Sequence, residues 1–246
     1  MAHGPDLSLS IARLTFGGEV LYKDFHLNVA GGEVVALIGP SGVGKTTLLR
    51  ILAGVETGFD GQALVDGRPA PLAPVPGLVF QDARLLPWLT CADNLRAVRP
   101  EVSDEVVAQA LAATGLVDVQ DKWPRQLSGG MQRRLGLARA LLVNPRLMLL
   151  DEPFVSLDRV VVRELQALVT DLIVQSGATA VLVSHDPQDA ARLAHRVVII
   201  AGRPVQIVAD LAFDTLPAQR SRAQIIAYED RIETAMVESA LLSVVE

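Results

Sequence analysis

Apolar and polar positions alternate with period two in the first part of the chain. Leu7, Leu9 and Ile11 stand between polar or small residues, and Phe25, Leu27 and Val29 leave His26 and Asn28 on the opposite face. Residues 7–38 therefore read as strands, interrupted by a turn at Ala30-Gly31-Gly32. The run from Glu33 to Ile38 loses the alternation and becomes apolar, the pattern of a strand covered on both faces. Lys45 to Leu52 has helical spacing and is closed by Ala53-Gly54. Gly58 to Gly67 reads as turn, short strand and turn. Residues 69–77 carry Pro69, Pro71, Pro74 and Pro76, which exclude a helix there. Leu78 to Phe80 is a further strand, ending at Gln81.

Beyond that point helices predominate. Residues 100–120 are helical in pattern, and Met131 to Val143 form an amphipathic helix stopped by Asn144-Pro145. Leu147 to Leu150 is a core strand, Arg159 to Gln175 a helix, Ala178 to Val183 a strand and Pro187 to Leu193 a helix. Residues 197–208 read as a hairpin around Gly202-Arg203-Pro204, and the stretch after about Asp210 as terminal helices. Strands alternating with helices indicate an α/β protein with a parallel sheet.

Composition narrows the functional classes. With 246 residues, half of them hydrophobic, the chain can bury one sizeable core and a small subdomain. A net charge of −6 disfavours non-specific nucleic-acid binding. The single cysteine, Cys91, excludes an intrachain disulfide and a paired-cysteine metal site, and a reducing cytoplasm fits. The start lacks a basic region followed by an apolar one. Apolar runs such as Val197 to Ala201 fall far short of the ~20 residues that span a bilayer. Any membrane process served by this chain needs another chain to do the spanning.

The chemistry concentrates at strand ends. Gly39-Pro40-Ser41-Gly42-Val43-Gly44-Lys45-Thr46, followed by Thr47, joins an apolar strand to a helix. Its glycines let the backbone wrap phosphates, whose charge is met by loop N–H groups and the helix N-terminus. Lys45 is placed to neutralise β- and γ-phosphate charge, and Thr46 offers a hydroxyl to Mg²⁺. Asp151 and Glu152 end the strand Leu147–Leu150, where open α/β sheets bind ligands. Asp151 can reach the Mg²⁺ shell, and Glu152 can polarise an attacking water. Ser128, Gly129 and Gly130 open the helix Met131–Val143 and present a hydroxyl, N–H groups and a positive dipole end to an anion.

Together these segments resemble the ATP-binding subunit of an ABC transporter. Gly39–Thr46 matches the Walker A motif, Leu147–Asp151 matches Walker B, and Leu127-Ser128-Gly129-Gly130-Met131 matches the LSGGQ signature, with Met131 in place of glutamine. The resemblance implies a P-loop NTPase cassette: a RecA-like core with an antiparallel β subdomain (about 7–80 and 145–208), a helical subdomain (about 82–144) and C-terminal helices (about 210–246). It also implies that Gln81 touches Mg²⁺ and water, that Asp158 of Ser156-Leu157-Asp158 crosses a dimer interface, and that His185 contacts the γ-phosphate. Phe16 is implied to stack on adenine, with Tyr22 the second candidate.

As to mechanism, the resemblance implies a homodimer closing head to tail over two ATP. Each ATP would lie between one copy's phosphate loop and the other copy's Ser128–Gly130. It further implies two membrane permease subunits, contacted through about Asp82–Thr90 with Leu85, Leu86 and Trp88, at the cytoplasmic face of the inner membrane. The wording of this stretch is similar to nitrate/sulfonate/taurine-type importers, which also use a periplasmic solute-binding protein. Export, lipid handling and a non-transport ABC ATPase remain as alternatives. The interval from Lys45 to Ser128 holds no heptads, which argues against a DNA-repair type.

Overall fold

A computed structural model describes residues 3–80, 82–155 and 159–242 of the protein, with side chains to residue 239. Two sheets carry the fold. The first is antiparallel: β1 (Leu7–Phe16) pairs with β2 (Glu19–Val29) on one side and β4 (Asp60–Val65) on the other, and β5 (Arg68–Pro69) extends β4. The alternation seen in the sequence is the burial pattern: Leu7, Leu9, Ile11, Phe25, Leu27 and Val29 are all buried.

The second sheet is mostly parallel. It contains β3 (Val34–Ile38), β6 (Gly77–Val79), β7 (Leu147–Asp151), β8 (Thr179–Val183), β9 (Arg196–Ala201) and β10 (Gln206–Ala212), in the order β10-β9-β3-β8-β7-β6. Only β10 runs antiparallel, to β9. Successive side chains leave the sheet on opposite faces. Leu37, Leu149 and Val181 therefore join the β1–β2 side and α1 (Lys45–Leu52) in one core. Ile38, Leu150 and Leu182 pack on the other face, against α5 (Arg159–Ser176), α6 (Pro187–Leu193) and α7 (Arg222–Leu242).

A third core lies apart from the sheets. Cys91 and Leu95 of α2 (Cys91–Arg96), Val107 and Leu111 of α3 (Asp104–Ala113), and Leu135 of α4 (Gly129–Leu142) meet there. Several elements differ from the sequence reading. The helical pattern over 100–120 stops at Ala113, because Gly115 turns with φ +68°. The proline-rich segment does admit one 3₁₀ turn, Ala70–Leu72, entered from Pro69, since a missing N–H costs little in a first turn. Within the described residues the C-terminal stretch finishes β10 at Ala212 and then forms a 3₁₀ turn, Pro217–Gln219, and the single long helix α7. α2 was not foreseen, being only six residues long.

Candidate active site

The parallel register brings three strand ends to one edge. Leu37 and Asp151 both align with Val183, so Gly39, Asp151–Glu152 and Ser184–His185 leave the sheet at the same level. Ligands of open α/β sheets bind there.

The loop after β3 is shaped by backbone conformations that glycine tolerates. Gly42 and Gly44 have φ of +75° and +120°. Gly44 also has no room for a side chain, since a Cβ would lie 2.6 Å from the Tyr22 hydroxyl. Lys45 is buried and folds back, donating from Nζ to Gly39 O at 2.7 Å and Pro40 O at 3.0 Å. Burial lowers its pKa, while Glu152 and Asp151 hold it up. Thr46 Oγ1 donates to Asp151 Oδ2 at 2.9 Å, the hydroxyl and carboxylate converging from α1 and β7. Burial raises the Asp151 carboxyl, and the Thr46 hydrogen bond opposes it.

Glu152 follows with φ +47°, a left-handed conformation that costs a non-glycine residue about 1–3 kcal/mol. Its N–H is tied to Val183 O at 2.9 Å. The turn aims its carboxylate at the loop after β8, where His185 Nδ1 approaches Glu152 Oε2 at 3.5 Å.

Phe16 ends β1 beside the Gly17-Gly18 turn and is 72% exposed. Tyr22, the second candidate for the base, is 0% exposed and packs edge-on against Phe25. No ring face of Tyr22 is open to a nucleotide. Its hydroxyl has no hydrogen-bond partner among the described residues, and burial raises its pKa strongly.

Ser128 caps α4, accepting from Met131 N at 3.3 Å. The helix therefore starts at Gly129, two residues before the sequence reading placed it. Among the described residues a Cβ on Gly129 would meet nothing within 4 Å, whereas one on Gly130 would lie 3.1 Å from Val161 Cγ1 of α5, so the tip is open on its Gly129 side. Met131 is partly buried against the third core. Gln81 and Ser156–Asp158 lie outside the described residues.

The segment from Asp82 to Thr90 is pinned from within. Asn94, fully buried, accepts from Leu86 N at 2.8 Å and donates to the carbonyls of Leu86, Leu89 and Thr90. Leu85 packs partly on the third core, while Trp88 is 66% exposed. Arg139 donates to Ala83 O and Arg84 O, and Arg133 to Pro153 O, linking α4 to both neighbouring loops.

One contact escaped the sequence reading. Arg203 Nη2 donates to Gly42 O at 3.1 Å and Nη1 pairs with Glu19 at 3.3 Å, bridging the hairpin, the phosphate loop and the β1–β2 turn. No local signal could reveal partners so distant in the chain.

The family model described as ABC transporter matches residues 22–155. The chain belongs to the ABC transporter family. It is 38% identical over 227 residues to the aliphatic sulfonates import ATP-binding protein SsuB 2 of Agrobacterium fabrum, covering 91% of this chain and 86% of that protein. It is 42% identical over 224 residues to SsuB 1 of Xanthomonas axonopodis pv. citri, covering 88% of each. Among solved structures, the dimeric post-hydrolysis cassette MJ0796 bound to ADP and Pi superposes with a TM-score of 0.74 at 27% identity, covering 85% of this chain and all of that one. This family member is an ATP hydrolase with an α/β cassette fold.

The site also fits Mg²⁺. Thr46 and Asp151 supply a hydroxyl and a carboxylate, hard oxygen donors already within hydrogen-bond distance. Among the described residues no group of three or more acidic, His or Cys side chains is placed to hold a metal ion by itself. A hydroxyl and one carboxylate are the donors a cation takes that completes its shell with water and phosphate.

Proposed function

We propose that this chain energises import of a sulfonate-class solute through a separate membrane permease, by closing in pairs over ATP. The observation that carries the hydrolytic part is the convergence of Lys45, Thr46, Asp151, Glu152 and His185 on one sheet edge. The relatives' names support the import direction and the solute class. No helix among the described residues is long and apolar enough to cross a membrane. Partner permeases then supply the spanning part, and a solute-binding protein delivers the cargo outside.

The assigned roles follow from chemistry. Loop N–H groups of Gly39–Thr46 and the Lys45 ammonium offset the charge of the phosphates. Mg²⁺, held by Thr46, Asp151 and Gln81, would add positive charge against that on the γ-phosphate oxygens. Glu152 accepts a proton from the attacking water as its oxygen bonds to γ-phosphorus and the bond to the β-bridging oxygen breaks. His185, beside Glu152, contacts the γ-phosphate. Phe16 offers its face to adenine. Ser128, Gly129, Gly130 and Asp158 complete the site of the facing copy. Closure is a population shift, because ATP touches both copies only when they are shut. We assign the permease contact to the Asp82–Thr90 segment, with Trp88 its exposed anchor and Arg139 tying it to α4.

The test is ATPase activity of the chain reconstituted with its permease and solute-binding protein. Short alkanesulfonates should raise turnover above the basal rate, and nitrate should not. Stimulation by nitrate alone would overturn the solute class. Transport in the outward direction would overturn import.

A further inference from the structure

His185 is half exposed, so its own packing does not fix its aim. The residue before it is fixed. Ser184 is buried at the end of β8, and its Oγ donates to Asp189 Oδ2 at 2.7 Å while accepting from Asp186 N–H at 3.0 Å. One hydroxyl therefore ties down both neighbours of His185. Asp189, 5% exposed, also accepts at Oδ1 from Gln166 Nε2 at 2.7 Å. Gln166 projects from α5 and is 4% exposed.

We propose that Asp189 and Gln166 are positioning residues for ATP hydrolysis: a buried latch that holds Ser184 and so aims His185 at Glu152. This rests on the role assigned to His185 above. The latch is rigid where the histidine is not. Both of its long arms are 2.7 Å hydrogen bonds out of solvent, where such bonds strengthen. Because Gln166 lies on α5, a shift of that helix reaches His185 through two hydrogen bonds.

A carboxylate is an expensive choice for this place. Its hydrogen-bond donors here, Ser184 and Gln166, are neutral, and burial pushes its pKa up to about 6. The charged groups facing it are Asp186, which raises the pKa further, and His185, which lowers it; Arg159 and Arg163 of α5 and Glu229 of α7 line the same cavity of about 480 Å³. A carboxyl raised on folding favours the fold below its unfolded pKa, and that stability is lost as pH rises through about 6. At pH 7 the ionised Asp189 thus costs stability. What the charge supplies is two acceptor oxygens for two donors. An amide at this position has one acceptor oxygen and releases one arm.

The test uses the full chain, steady-state ATPase kinetics and thermal melts. Asp189→Asn and Gln166→Leu should each lower kcat about tenfold, with KM for ATP changed by no more than about twofold. The Asp189→Asn protein should melt no lower than the parent at pH 7, which a purely structural role does not predict. In the parent, kcat should fall as pH drops through about 6. That acid limb should be absent in Asp189→Asn. On a His185→Ala background, Asp189→Asn should cause no further loss. Normal kcat in folded Asp189→Asn, with His185→Ala impaired, would overturn the latch alone. A full additional loss on the His185→Ala background would also overturn it. Undiminished activity of His185→Ala would overturn the role of the histidine and the latch with it. Should Asp189→Asn fail to fold, Gln166→Leu and Ser184→Ala carry the kcat reading and the reading on the His185→Ala background.

Discussion

The phosphate loop and the tip of α4 are both glycine-rich helix starts, yet they differ in how complete they are. At the loop, Lys45 already holds two carbonyls, Thr46 holds Asp151, and Arg203 holds Gly42. At the tip, Ser128 caps its own helix, and a Cβ on Gly129 would meet nothing within 4 Å among the described residues. In the function proposed above, the loop is the half of a nucleotide site whose described groups are already tied together inside one copy. The tip, which that proposal makes the other half, meets no ligand-binding group among the described residues. Under the proposed function, a second copy bringing ATP to that tip would account for the difference.

Variants can break or sharpen this contrast, and the finished half should be the more sensitive. Glu152→Gln should lower kcat by at least about 100-fold, the usual worth of a positioned general base, while fluorescent-nucleotide binding persists. Turnover near the parent rate would remove Glu152 from its role. Lys45→Ala should weaken ATP binding by about tenfold or more, through loss of a charge-assisted contact, read by the same titration. Unchanged affinity would show that the loop N–H groups suffice. Phe16→Ala should weaken ATP about three- to tenfold, in line with aromatic stacking of ~0.5–1.5 kcal/mol, and a matching loss for the triphosphate without a base would contradict the stacking role. Met131→Gln should change kcat by less than about twofold, because residue 131 packs on the third core rather than facing the tip. A large gain in turnover would place that side chain at the nucleotide.

Much of this was legible in the sequence because the signals are local. The glycine loop, the apolar run Leu147–Leu150 before Asp151, and the caps at Ser128 and Gly54 each depend on neighbouring residues. Their structural positions follow from strand and helix periodicity. The pattern reading lost accuracy where tertiary packing or short elements decide. α2 is only six residues long, and Asn94 acts there by tying a loop whose shape no propensity describes. Tyr22 looked like a second aromatic for the base, but it is buried in the first core, edge-on to Phe25 of the same strand. Arg203 and the Gln166–Asp189–Ser184 latch join segments far apart in the chain, so their partners emerge only when the fold is built.

Size measurement by light scattering with Mg²⁺ and ATP tests the split site most directly, comparing Glu152→Gln with Glu152→Gln/Ser128→Arg. The account predicts a dimer for the first and a monomer for the second, with ATP still bound by both and more tightly by the variant that dimerises. A dimer that forms equally well with arginine at position 128 would contradict it.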